Sequence, residues 1–271
     1  MGFDLDAAIA AYVDTLDRTQ AFYTGLPDAE WAQPTELPGW SVHDLASHVI
    51  AIEKDTLGDP APEHVPDWDA LPHAADPVSQ YTEAGVDLRR SRTPDEIRAE
   101  LAEVIDRRRP DLAATPREPD APVRGPAGMK APASRIYPMR TFDMWAHLQD
   151  ARRATGRPGD LDSMGGQVTR ERLVRALSIL LSKELAAPPG SAVRLTVGGA
   201  VAFDVDLVVG ADGRGAAHPA EDGVADAQIS MDWETFVRLG CGRAPLDELP
   251  IRVDGDPSLA RRLLAVAAIT P

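Results

Sequence analysis

Arg140, Asp143, His147 and Asp150 follow one another at intervals of three and four residues within 136–154. On a helix they share one stripe, ended by Ile136 and Ala154, while Phe142, Trp145 and Leu148 lie on another face. A charged seam between apolar ends costs stability unless its charges are paired or bind something. Asp143 and His147, at i and i+4, point the same way and could together hold one metal ion. The spacing equally permits a solvated Asp–His pair. A third ligand must come from elsewhere, and His48 is the candidate, one turn past Asp44 and beside Leu45 and Ile52. By itself it could be an edge histidine hydrogen-bonded to a neighbour. Taken together, His48, Asp143 and His147 give two imidazoles and one carboxylate, a set that suits zinc with one coordination position open to a small ligand. His43 points away from His48 and is expected to be exposed. His64 and His73 fall in a loop, and His218, next to Pro219, reads as turn surface.

The residues that must position this set read as helices up to about residue 187. Leu5, Ile9, Tyr12, Leu16 and Tyr23 make the stripe of a first helix. In 38–57, Ser41 is the N-cap, Asp44 its capping-box partner, and Trp40 is placed to staple against Leu45. A Pro-rich loop follows from 59 to 77, then a short helical stretch. Thr93, Pro94 and Glu96 start a third long helix, expected to break or kink near Pro110. Residues 114–132 read as a loop, and a fourth long helix runs from about Ser134 to Thr155, ended by Gly156 and Pro158. Four such helices predict a bundle. After a linking helix at about 167–186 the period changes. Val193, Leu195 and Val197 alternate, Gly198-Gly199 reads as a two-residue turn, and Val201 to Val209 alternate again. Strands at 227–231 and 250–254 each lead into a helix, capped by Asp232 and by Asp256 with Pro257. The expected fold class is α+β: a helical bundle over residues 1–160 and a small mixed domain over 161–271.

Composition narrows the function. With 28 Lys+Arg against 43 Asp+Glu the formal charge is −15, which disfavours nucleic acid or an anionic membrane as partner. No apolar run reaches the roughly 18–20 residues of a membrane span, and the acidic N-terminus lacks a secretion-signal layout. A cytoplasmic monomer or homodimer is the expectation. A single cysteine, Cys241, excludes an intrachain disulfide and any multi-thiolate zinc site within one chain. Arg107-Arg108-Arg109 reads as a solvated helix end.

The stretch from Trp31 through Leu-Pro-Gly-Trp-Ser-Val-His-Asp-Leu-Ala-Ser to His48 resembles the second-helix signature of the DinB-like, mycothiol-dependent maleylpyruvate isomerase family. Arg140-Thr-Phe-Asp-Met-Trp-Ala-His-Leu-Gln-Asp150, with Gly-Arg-Pro after it, is similar to that family's second motif. Phe236–Arg243 and Val253–Ala260 resemble its C-terminal domain, related to sterol-carrier folds. The resemblance implies a four-helix bundle holding a divalent metal, usually zinc, through His48, Asp143 and His147. It departs at Asp143, where the family usually has Glu, so the carboxylate is retracted by about 1.5 Å. It also implies mycothiol as the thiol cofactor, bound as a metal-activated nucleophile and aimed at a small electrophilic substrate, for cis–trans isomerisation or S-transfer. Arg140 is a candidate catalytic residue that could clamp an anionic substrate group, with an ion pair to Asp143 or Asp150 as the alternative. Arg243 resembles a family arginine directed at the cleft. Asp150 is a candidate cofactor-binding residue, fixing a histidine tautomer beneath the metal. Two other readings stay open: a non-catalytic module binding a lipid or small molecule, and a metal-dependent regulatory protein.

Overall fold

A computed structural model describes residues 4–118, 120–223 and 225–270. The chain divides into two compact units, Met1–Val168 and Thr169–Pro271. The first unit carries α1 (Leu5–Thr24), α2 (Val42–Leu57), α3 (Pro77–Asp87), α4 (Pro94–Ala113), a small hairpin of β1 (Pro122–Arg124) and β2 (Lys130–Pro132), and α5 (Ala133–Ala154). Helix α1 lies against α4 and α5, and α2 lies against the same two, which makes a four-helix bundle with α3 packed on α2. Its centre is apolar: Tyr12, Leu16, Leu45, Val49, Ile97, Leu101, Ile105, Ile136 and Leu148 are buried together. The helix starts are written locally. Ser41 and Asp44 close a capping box on α2, Thr93 and Glu96 do so on α4 with Pro94 in its first turn, and Asp76 caps α3.

Several expectations in this unit change. Helix α4 runs on through Pro110 to Ala113. The proline removes one backbone donor in the last turn, where few bonds remain to be lost, and the buried Arg108 and Leu112 hold that turn down. Residues 122–132 are not all loop. Their hairpin leads into α5, whose first N–H, from Ala133, donates to the Ala121 carbonyl in place of a side-chain cap. The basic run is split: Arg107 and Arg109 reach outward to Asp59 and Asp17, while Arg108 is fully buried.

Glu100 on α4 ties the helices together, receiving Arg89 at 2.8 Å, Lys54 at 2.7 Å and Arg92 at 2.6 Å. Burial opposes its ionisation, but Arg89 and Lys54 outweigh that and hold its pKa at about 2. A folded-state pKa below the unfolded one contributes stability that is full above the unfolded value and lost as pH falls towards the folded one. The denaturation midpoint is therefore expected to drop as pH falls from about 4.5 towards 2, and Glu100→Gln should flatten this slope. An identical slope in the variant would count against the assignment.

Helix α6 (Met164–Lys183) spans the division between the units. The second unit holds β3 (Ala192–Gly198), β4 (Phe203–Val209), β5 (Gly215–Pro219), β6 (Ala227–Asp232), α7 (Trp233–Gly240), β7 (Arg252–Gly255) and α8 (Pro257–Ala265). The sheet order is β5-β4-β3-β6-β7, antiparallel except for the β3/β6 pair. Val193, Leu195 and Val197 face the core. Asp232 and Asp256 cap α7 and α8 as expected. The β3–β4 connection spans residues 199–202 rather than two glycines, because Val201 tucks inward at 3% exposure. His218 belongs to the edge strand β5, opposite Asp206, and not to a turn. Among the described residues, no helix is long and apolar enough to cross a membrane.

Candidate metal centre

His48 lies mid-way along α2, and Asp143 and His147 lie on consecutive turns of α5. The packing of α2 on α5 brings residues 95 positions apart into contact: His48 Nε2 is 3.3 Å from Asp143 Oδ2. His147 Nε2 is 3.7 Å from Asp143 Oδ1. All three ligand atoms lie within 4.8 Å of one another. A tetrahedral zinc ion with donors at 2.0–2.1 Å holds them about 3.4 Å apart, and the two carboxylate–imidazole separations, one to each oxygen of Asp143, lie near that value. The shorter Asp143 side chain still reaches both imidazoles. The site is a buried seam rather than a solvated face: the His48 and His147 side chains are 3% and 10% exposed, and Asp143, at 32%, is the accessible member.

The electrostatics favour the forms a cation requires. Burial pushes the His48 imidazole down against the pull of Asp143, keeping it neutral. Burial would raise the Asp143 carboxyl, but Arg140, then His48 and His147, hold it well below the usual carboxylate range. An ion held through Nε2 of each histidine would place the ring proton on Nδ1. His147 Nδ1 faces Asp150 Oδ2 at 3.4 Å without closing a hydrogen bond, and Asp150, 1% exposed, is anchored by Arg153, itself paired with Glu36. His48 Nδ1 is buried with no hydrogen-bond partner among the described residues.

Arg140 is 2% exposed, and its guanidinium is engaged by two carboxylates: Nη1 donates to Asp143 Oδ2 at 2.6 Å, and Nη2 to Glu53 Oε1 at 2.8 Å. Of the two readings the spacing left open, this geometry matches the ion pair with Asp143. Arg243 belongs to the second unit. Gly242, at φ +64°, turns the chain after α7, the Arg243 N–H returns to the Arg238 carbonyl, and Nη1 donates to the Cys241 carbonyl. Cys241 is buried at 1% exposure, as a small apolar residue would be.

Two participants escaped the sequence reading. Trp40 does more than staple the helix start: its ring lies 5.1 Å from His48 and 5.7 Å from His147, centroid to centroid, and its Nε1 donates to Glu83. Gly39, at φ +79°, lets the His73 ring close over it, since a Cβ there would come 2.4 Å from His73 Nδ1, on the ring that also meets Glu83. The second is Glu53, wholly buried. It continues the α2 stripe Val42, Leu45, Val49, and an acid in an apolar stripe was the available signal that a buried cation faces it. His43 is also less exposed than expected, with Nε2 facing the Arg92 carbonyl at 3.1 Å and its ring against Trp31.

A helical bundle that converges two imidazoles and a carboxylate, followed by a sheet-bearing unit, defines an α+β protein with a candidate metal centre in its helical part. A family model, mycothiol maleylpyruvate isomerase N-terminal domain, matches residues 13–152, and the chain belongs to that family. Among solved structures it is similar to the mycothiol-dependent maleylpyruvate isomerase, at 17% identity and a TM-score of 0.52 over 89% of this chain and 90% of that one. It is also similar to a histidine-to-alanine mutant of the mycothiol-dependent maleylpyruvate isomerase, at 16% identity and a TM-score of 0.56 over 93% of both chains. At these identities the likeness shows the fold. No curated protein matches it by sequence.

Proposed function

We propose that this protein is a metal-dependent enzyme that uses mycothiol as its nucleophile, with His48, Asp143 and His147 holding one divalent ion, zinc by its donor set. The observation that carries the reading is the convergence of these three ligand atoms from two helices within 4.8 Å. A divalent ion bound there supplies the Lewis acidity that keeps a small thiol as thiolate, a nucleophile suited either to cis–trans isomerisation of an activated alkene or to S-transfer. His48 contributes a neutral imidazole because burial disfavours its charged form. Asp143 contributes the single ligand charge, kept ionised by Arg140. Asp150, fixed by Arg153, faces His147 Nδ1 at 3.4 Å, and the Trp40 ring lies against both imidazoles. Arg140 is taken up by its pairs with Asp143 and Glu53. Holding an anionic substrate group is assigned to Arg243, on the Gly-Arg resemblance alone.

The test is elemental analysis of the purified chain, followed by maleylpyruvate turnover with mycothiol and with the thiol omitted. About one ion per chain and turnover only with thiol support the proposal. Metal without any thiol-dependent reaction, against maleylpyruvate or a thiol-trapping electrophile, favours a regulatory role. A metal-free chain that binds acyl ligands favours a binding module.

A further inference from the structure

Glu53 is a carboxyl group at 0% exposure on which four donor groups from three other helices converge. The Tyr12 hydroxyl lies 2.7 and 2.8 Å from its two oxygens, and Arg108 Nε reaches Oε2 at 3.1 Å. Arg140 brings Nε at 3.3 Å and Nη2 at 2.8 Å, both to Oε1. Burial, then the Glu53 charge, pushes the Tyr12 hydroxyl well up, so it stays a donor. A guanidinium offered a single carboxylate tends to grip both its oxygens through parallel N–H groups. Here Arg140 gives Asp143 only Nη1, on Oδ2, while Oδ1 is the oxygen turned to His147.

We infer that Glu53 is a positioning residue for the metal ligand Asp143: by taking two N–H groups of Arg140, it keeps that fork off Asp143 and leaves Oδ1 to the ion. Tyr12 and Arg108 hold Glu53 in place for this. The inference rests on the metal-site reading above and deepens it, since it assigns ligand availability to a carboxylate that never meets the ion.

The experiment is zinc affinity of the full chain, by competition with a chromophoric chelator, with folding followed by circular dichroism. Glu53→Gln is expected to weaken zinc binding by about 10- to 100-fold. The double variant Glu53→Gln/Arg140→Gln removes the freed fork together with its competitor and is expected to recover most of that loss. A merely structural role would make the double variant no better than the single one. Should Glu53→Gln fail to fold, Tyr12→Phe loosens the same carboxylate more gently and is expected to cost roughly threefold, the low end of one net hydrogen bond. Unchanged affinity in a folded Glu53→Gln or Tyr12→Phe chain, or a double variant no tighter than Glu53→Gln, overturns this inference alone. A wild-type chain that binds zinc no better than His147→Ala overturns the metal reading beneath it.

Discussion

In His147→Ala, zinc affinity is expected to fall by more than about 100-fold, beyond what loss of an outer hydrogen-bond partner costs, and thiol-dependent turnover is expected to vanish with it. The substitution removes one of two imidazoles from a three-donor set. The remaining His48 nitrogen and Asp143 oxygen cannot enclose an ion without taking most ligands from water. Position 147 lies inside α5, where alanine is the best helix former, so the secondary structure should be retained. Elemental analysis after dialysis, paired with circular dichroism, separates lost metal from lost fold. A variant that keeps a full equivalent of zinc would end the three-residue assignment.

Arg140→Ala should strike stability. Its guanidinium sits between Glu53, at 0% side-chain exposure, and Asp143. Removing the cation leaves a buried carboxylate facing another across an emptied position. Breaking a buried pair in this way costs about 3–5 kcal/mol, which in a unit of this size lowers the thermal midpoint by roughly 6–20 °C. Calorimetry of the metal-free chain would measure it. Arg109→Ala is the control, because Arg109 pairs with Asp17 and Asp106 at the surface and should change stability by less than about 1 kcal/mol. Equal midpoints for the two variants would show that the buried pair does not support the bundle.

The capping residues were legible because their physics is local. Ser41 with Asp44, Thr93 with Glu96, and Asp256 with Pro257 satisfy backbone N–H groups within one turn, and each helix starts where they stand. Strand β5 was not legible: Gly215–Pro219 lacks apolar alternation, and as an edge strand it has one neighbour, β4. Arg108 misled because its neighbours are solvated, whereas Glu53 and Tyr12, which accept it, come from helices far away in the chain.

From the chain alone one could place Asp143 and His147 on a common stripe, since a spacing of four residues on a helix puts two side chains side by side in any protein. The order of the long helices and of strands β3, β4, β6 and β7, the candidate role of His48 and the acidic balance were likewise open to reading. Only the tertiary structure decided that His48 meets that pair, that the seam is buried, and that Arg140 is divided between Asp143 and Glu53. Helical periodicity constrains neighbours within a few residues, whereas the meeting of α2 with α5 depends on how four apolar stripes close around one core.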